Sequence, residues 1–165
     1  MELMSVDEFV KKWTGKPCDF DGAFGNQCMD IMHQYIYDVL GLTDAKILQA
    51  PNARLAYTNF KWEQYFTKIN NTPEGVPLAG DIMFWGDKVG TDGHVAIFLS
   101  GNVNQFYSFD QNWAVGTLPH IQLHTYYGVL GWLRPKPIVV DPTVDLKKQI
   151  AELKNKIEKA KEVLK

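Results

Sequence analysis

Cysteine is scarce in this 165-residue chain, where only Cys18 and Cys28 occur. Two thiols are too few for a disulfide scaffold, and they do not form the closely spaced pair of a metal or redox motif. Each is therefore of interest singly. Long apolar runs are missing too. The longest, Val95 to Leu99, has five residues, against the roughly 20 that a membrane helix requires. A large charge of one sign is also absent. A net charge of −2 argues against a nucleic-acid binder working by phosphate neutralisation. What imbalance exists is uneven: residues 1–140 carry 10 Lys/Arg and 14 Asp/Glu, while residues 141–165 carry 7 and 5. The opening residues, Met1 to Glu8, lack the basic and then apolar regions of a signal peptide, so synthesis as a soluble cytoplasmic chain is expected.

What is present suits one core with an appendage, since 45% of the chain is hydrophobic and 13% aromatic. Ser5 and Glu8 have capping-box spacing ahead of Val6, Phe9, Val10 and Trp13, which predicts a first helix ended by Gly15 and Pro17. A Gly/Asp-rich loop, 19–27, leads into Cys28, Met32, Tyr35, Ile36, Val39 and Leu40, a helical periodicity running to Gly41. Asn52 is placed to cap a short helix after Pro51, and the stretch 62–69 reads as strand or irregular chain. Five short β-prone runs follow, at 82–85, 94–99, 105–110, 121–125 and 129–133, separated by Gly, Asn, Asp and Pro. Helices first and antiparallel strands second predict an α+β fold.

The expected organisation is a folded domain over 1–136, a Pro-containing linker over 137–143 and a helix over 144–165. In that helix Leu146, Ile150, Leu153, Ile157, Ala160 and Leu164 make a heptad seam. The flanking Lys147, Lys154, Lys161, Gln149 and Lys156 would set Lys against Lys in a parallel homodimer. Antiparallel pairing, an acidic partner, docking on a neighbouring domain, or a plain solvated linker remain as readings.

Cys28 stands at a predicted helix N-terminus, where the helix dipole favours a thiolate, the nucleophilic form of cysteine. A thiol nucleophile needs a base. His33 lies off the apolar stripe of its helix and reads as a surface residue. His120 and His124 sit in β-like sequence that does not offer the helix face a zinc pair would use. His94 follows Gly93 and opens the strongest strand, where an imidazole is held rigidly. Orientation of that ring requires an acceptor, and Ser-Phe-Asp-Gln-Asn-Trp supplies Asp110 and Asn112. A carboxylate also stabilises the imidazolium, whereas an amide only orients it.

These segments carry a resemblance. Asp-Gly-Ala-Phe-Gly-Asn-Gln-Cys-Met-Asp, Pro-Leu-Ala-Gly-Asp-Ile-Met-Phe-Trp-Gly, Gly-His-Val-Ala-Ile-Phe and Phe-Asp-Gln-Asn-Trp look like the ordered motifs of CHAP domains (cysteine, histidine-dependent amidohydrolase/peptidase), above all those of endolysins from phages of Gram-positive bacteria. The resemblance covers roughly residues 5–136. It implies a papain-like fold, with Cys28 as nucleophile, His94 as base, Asp110 as the acidic member and Asn112 as the polar residue that assists or replaces it. The backbone N–H of Cys28, and after it the Gln27 side chain, are the candidate oxyanion donors. The implied activity is hydrolysis of an amide bond in the stem peptide or cross-bridge of peptidoglycan, on the wall after release from the host cytoplasm. A small-molecule amidase with the same triad, or a silent calcium-dependent wall-binding or assembly module, are the alternatives. The sequence holds no readable code for the bond cut.

The loop before Cys28 has a second pattern. Taking Asp19 as position one places Asp21 at three, Ala23 at five, Gly25 at seven and Asp30 at twelve, which resembles EF-hand spacing. Phe24 replaces the expected turn glycine at six, and Asp replaces Glu at twelve. Several CHAP endolysins bind calcium through a similar loop. The resemblance therefore implies a structural calcium held by Asp19, Asp21 and Asp30, with backbone oxygens of Ala23 and Gly25 available. The alternative is an acidic turn that caps the Cys28 helix.

Overall fold

The computed structural model describes residues 3–137 and, beyond them, Ile150, Leu153, Lys154, Ile157 and Lys161. Within residues 3–137 three α-helices precede six strands: α1 (Val6–Trp13), α2 (Cys28–Asp38), α3 (Ala53–Thr58), β1 (Phe66–Asn70), β2 (Ile82–Trp85), β3 (His94–Gly101), β4 (Gln105–Asp110), β5 (His120–Thr125) and β6 (Val129–Pro135). The strands form one sheet in the order β1-β6-β2-β3-β4-β5, with every neighbouring pair antiparallel. The fold is α+β, as the sequence predicted.

Local chemistry sets the helix starts. The Ser5 hydroxyl accepts from the N–H of Glu8 at 3.2 Å, and the Glu8 carboxylate accepts from the N–H of Ser5 at 2.8 Å, the predicted capping box. Asn52 accepts from the N–H of Leu55 at 2.9 Å and so starts α3. At α2 the carboxylate of Asp30 reaches back to the N–H of Gln27 at 2.7 Å. This helix ends at Asp38, short of the Gly41 that periodicity suggested.

Strands β2 and β3 are central, and both faces of each are covered, so their sequences read as unbroken apolar runs. Ile82, Phe84, Val95 and Ile97 point to the helical side, against Phe9, Ile31, Met32 and Tyr35. Met83, Trp85, Ala96 and Phe98 point to the other side, with Phe106 and Trp132. Asp81 stands just before β2. Buried at 1% exposure, it accepts from the N–H of Leu78 at 2.8 Å and from Arg134 Nη2 at 2.8 Å. The motif around Gly80 and Asp81 thus fastens β2 to β6, while the Tyr35 hydroxyl donates to the Gly80 carbonyl at 3.0 Å and ties α2 to the same turn.

The heptad-patterned segment and its Pro-containing linker lie mostly outside the described residues. Of the seam, Ile150, Leu153 and Ile157 are helical and exposed.

Candidate active site

Cys28 is the first residue of α2, where the leading N–H groups of a helix have no acceptor within it. Its thiol is part-exposed and lines a cleft of about 420 Å³ together with Phe24, Met29, Ala50 and Gly93. Gly93 is required there by geometry. Its φ is +70°, and an added Cβ would fall 2.3 Å from the Trp85 carbonyl oxygen. The close approach brings the start of β3 against β2, in register Trp85 to His94.

His94 is buried at 4% exposure. Its Nε2 meets Asp110 Oδ1 at 2.6 Å, and the Cys28 thiol lies near enough to act on the ring's charge. Since Asp110 occupies Nε2, Nδ1 is the ring nitrogen that remains for the thiol. Burial alone would pull the His94 pKa down. The hydrogen bonds and negative charge of Asp110 and Cys28 outweigh it and hold the ring up at about 9. Asp110 shows the mirror balance: burial pushes it up, yet hydrogen bonds from His124 and His94 and their charges bring it down to about 2.

Asp110 is fully buried and both its oxygens are used. Oδ2 accepts from the Ser108 hydroxyl and from His124 Nε2, the latter at 3.2 Å. His94 and His124 both pack on Trp85 and Trp113, and the His124 ring lies 4.4 Å from the Trp113 ring centroid. Alternation along β4 and β5 aims Phe106, Ser108 and Asp110, with His120, Gln122 and His124, at one face. Sequence reasoning missed Ser108, and weighed His124 only as a zinc ligand rather than as a partner of Asp110. The signal was inverted polarity, since on β5 the inward positions are polar while Ile121 and Leu123 are exposed.

Asn112 does not share the position of Asp110. Its amide donates to Gln27 Oε1 at 3.0 Å and its Oδ1 accepts from the N–H of Gly116 at 2.6 Å. Gln27 in turn donates from Nε2 to the Phe24 carbonyl at 2.7 Å. The Gln27 side chain thus bridges two loops, with one N–H of its amide taken up in doing so. Gln111, also missed, is fully buried between these positions. It accepts from the N–H of Cys18 at 3.1 Å and donates to the carbonyls of Cys18 and Gln27, each at 2.7 Å. The residue before Cys28 is thereby tied to the end of β4. Cys18 is buried, and that burial together with nearby carboxylates pushes its thiol up to about 12. His33, expected at the surface, is half-buried because it stacks on Phe20 with ring centroids 5.7 Å apart.

The acidic loop curls beside this cleft. Gly22, Phe24 and Gly25 adopt φ values of +71°, +62° and +69°, so Phe24 makes a left-handed turn despite its side chain. Carboxylate oxygens of Asp19, Asp21 and Asp30 lie within 4.8 Å of one another. Oxygens around a calcium ion at about 2.4 Å are at most about 4.8 Å apart, so this donor set fits such an ion. Ala23 donates its N–H to Asp21 Oδ1 at 2.9 Å, and Gly25 lies in the same turn. Burial raises the pKa of Asp30, and the charges of Asp21 and Asp19 add to the rise against the hydrogen bonds from Gln27 and Phe20.

Among known proteins, the CHAP domain family matches residues 18–112. Endolysin PlyTW of Staphylococcus phage Twort is 32% identical over 143 residues, covering 81% of this chain and 30% of that relative. The chain therefore spans under a third of the length of that curated relative. The crystal structure of wild-type endolysin LysIME-EF1 is similar at a TM-score of 0.66 and 26% identity, covering 83% of this chain and 67% of that one. The structure of Ly7917 with the hydrolysing product of MDP shares the fold at a TM-score of 0.59 and 16% identity, covering 80% and 63%. A helix-borne cysteine against a strand-borne histidine defines a papain-like α+β protein. The chain belongs to the CHAP domain family.

Proposed function

We propose that the protein is a peptidoglycan hydrolase of the endolysin type, cleaving an amide bond of the stem peptide or cross-bridge by cysteine chemistry. The observation that carries this reading is Cys28 on the cleft wall, with His94 beside it and Asp110 hydrogen-bonded to the far side of that ring. Cys28 Sγ attacks the amide carbon as a thiolate, with its proton held on His94 Nδ1. The carbonyl oxygen becomes an oxyanion at the α2 N-terminus, where the N–H of Cys28 is the first donor. His94 gives its proton to the leaving amine, and the C–N bond breaks to leave an acyl-enzyme. Water, deprotonated by His94, then releases the acid and restores the thiol. Asp110 keeps Nε2 protonated and turned away from the cleft, which leaves Nδ1 for the reaction. Asn112 acts one step away, as a prop for Gln27.

Asp19, Asp21 and Asp30 would hold a calcium ion, with Ala23 and Gly25 as backbone contributors. Bound there, the ion supplies charge that fixes the loop in front of Cys28, and it takes part in no bond-making step. The heptad pattern over 144–165 fits association with a partner or a second copy.

Purified Gram-positive walls test the reading. The protein should lower their turbidity and release new amino groups, Cys28→Ala should abolish both while keeping the wild-type melting curve, and mass spectrometry of the fragments identifies the bond. Release of amino groups from small amides alone would redirect the reading to a small-molecule amidase. Wall binding without any release would make it a silent binding module.

A further inference from the structure

Phe24 is 95% exposed, on a backbone that favours glycine. Left-handed φ is disfavoured for a bulky side chain because Cβ crowds the following carbonyl. Gly22 and Gly25 reach the same region at no such cost, so the turn itself gives no reason for a phenylalanine. Burial gives none either, since the ring is almost wholly in water. The strained backbone is nevertheless held firmly. The Phe24 carbonyl is gripped by Gln27, which is gripped by Asn112 on the far loop. Strain that is fixed in place beside a reactive group is characteristic of functional positions.

The ring stands at the rim of the cleft that holds Cys28, whose lining is mixed: Met29, Ala50, Pro51 and Ala53 are apolar, while Asp21, Asp30, Asn52 and Asp92 are polar or acidic. We infer that Phe24 is a substrate-contact residue whose ring packs on the peptide arm of the substrate beside the scissile amide. The inference rests on the hydrolase reading above. An exposed aromatic gains affinity by burying its face, and a rigid mount keeps the ordering cost of binding low. Phe24 therefore acts on binding, with no part in proton transfer.

The test separates binding from turnover and from folding. In the Cys28→Ala protein, Phe24→Ala should weaken pelleting with purified Gram-positive walls by roughly three- to tenfold, and Phe24→Tyr should restore it. With Cys28 intact, Phe24→Ala should raise KM for soluble wall peptides by a similar factor while kcat stays within about twofold. Phe24→Gly should lose the same binding yet melt at or above the wild-type temperature, since it relieves the left-handed strain. Unchanged wall binding and KM in Phe24→Ala would overturn the inference. So would a clear fall in melting temperature in Phe24→Gly, which would mean that the ring serves the fold. Wild-type hydrolysis by Cys28→Ala would sink the thiol mechanism instead, and the pelleting comparison would still report on Phe24.

Discussion

Asp110 Oδ1 lies 2.6 Å from His94 Nε2, with the carboxylate fully buried behind the ring. This one contact fixes which ring nitrogen faces Cys28 and keeps the imidazolium stable. In Asp110→Asn the burial that disfavours charge remains while the compensating charge is gone, so the His94 pKa should fall well below about 9. The alkaline limb of kcat/KM, expected in the wild type near pH 9 where His94 loses its proton, should move to lower pH. The rate at its optimum should drop by roughly a hundredfold or more. A pH–rate profile of both proteins checks this, and an unmoved alkaline limb would argue that Asp110 does not tune His94.

The same pair makes stability depend on pH. His94 is raised from its ordinary 6.5 to about 9, so its contribution is full below 6.5 and is lost as pH rises through 9. Asp110 is lowered from 3.8 to about 2, so its contribution is full above 3.8 and is lost as pH falls through 2. Melting temperature should therefore decline between pH 6.5 and 9, and Asp110→Asn should flatten that decline.

His124 donates to the other oxygen of Asp110 at 3.2 Å. Its removal leaves Ser108 as the remaining side-chain donor to Oδ2 and loosens the carboxylate that aims His94. His124→Leu should lower kcat by roughly tenfold with KM little changed, and destabilise the fold by about 1–3 kcal/mol as an under-satisfied buried acceptor appears. His124→Gln, which keeps a donor, should recover much of both. Full activity in His124→Leu would mean that Asp110 needs no second histidine.

Much of this site was legible because its parts are local. The Gly/Asp loop followed by 3.6-residue periodicity marked the start of α2 at Cys28, and Gly93 before an apolar run marked the start of β3 at His94. The strands were visible from β-branched and aromatic runs between turn residues. The supports behind the site were less visible, because they depend on pairing register. His124 faces Phe106 across β4 and β5, and its inward position contradicts the hydrophobic pattern of its own strand. The choice between Asp110 and Asn112 was likewise undetermined by spacing. One residue beyond Asp110 the side chain points the other way, and at Asn112 the chain turns left-handed with φ +63° and leaves the sheet. The bonds of Gln111 to Cys18 and Gln27 join segments far apart in sequence, which no local pattern encodes.

Gln111 makes three hydrogen bonds to the backbone on either side of the acidic loop, two buried at Cys18 and one part-buried at Gln27. Gln111→Leu keeps comparable volume but leaves an N–H of Cys18 and the carbonyls of Cys18 and Gln27 without those partners. The cost should be about 2–4 kcal/mol, on the scale of roughly 1–3 kcal/mol per buried group with part of it recovered by water. Because Gln27 positions Cys28, kcat should fall at temperatures where the variant is still folded. Chemical denaturation and initial rates measured together distinguish this from simple unfolding. A large loss of stability with an unchanged rate would confine Gln111 to the fold.

Calcium provides the last prediction, and Asp21 is the residue on which to test it. Asp30 already accepts from the N–H groups of Gln27 and Phe20 at 2.7 and 3.2 Å, so its replacement would damage the loop with or without an ion. Asp21 accepts only a local bond from Ala23 in this network, and Asn at that position keeps the acceptor while removing the charge. If the three carboxylates hold calcium, the ion at about 100 times its Kd should stabilise the wild type by about 2.7 kcal/mol, because it binds the folded loop and not the unfolded chain. For a protein of this size that is a rise in melting temperature of roughly 5–10 °C. The rise should be reversed by a chelator and largely lost in Asp21→Asn. Chelation should also reduce wall hydrolysis without altering the reactivity of the Cys28 thiol toward a small alkylating agent, since the loop positions Cys28 and does not activate it. A melting curve indifferent to calcium would leave Asp19, Asp21 and Asp30 as a turn that caps α2, and the Cys28–His94–Asp110 chemistry would stand without a metal.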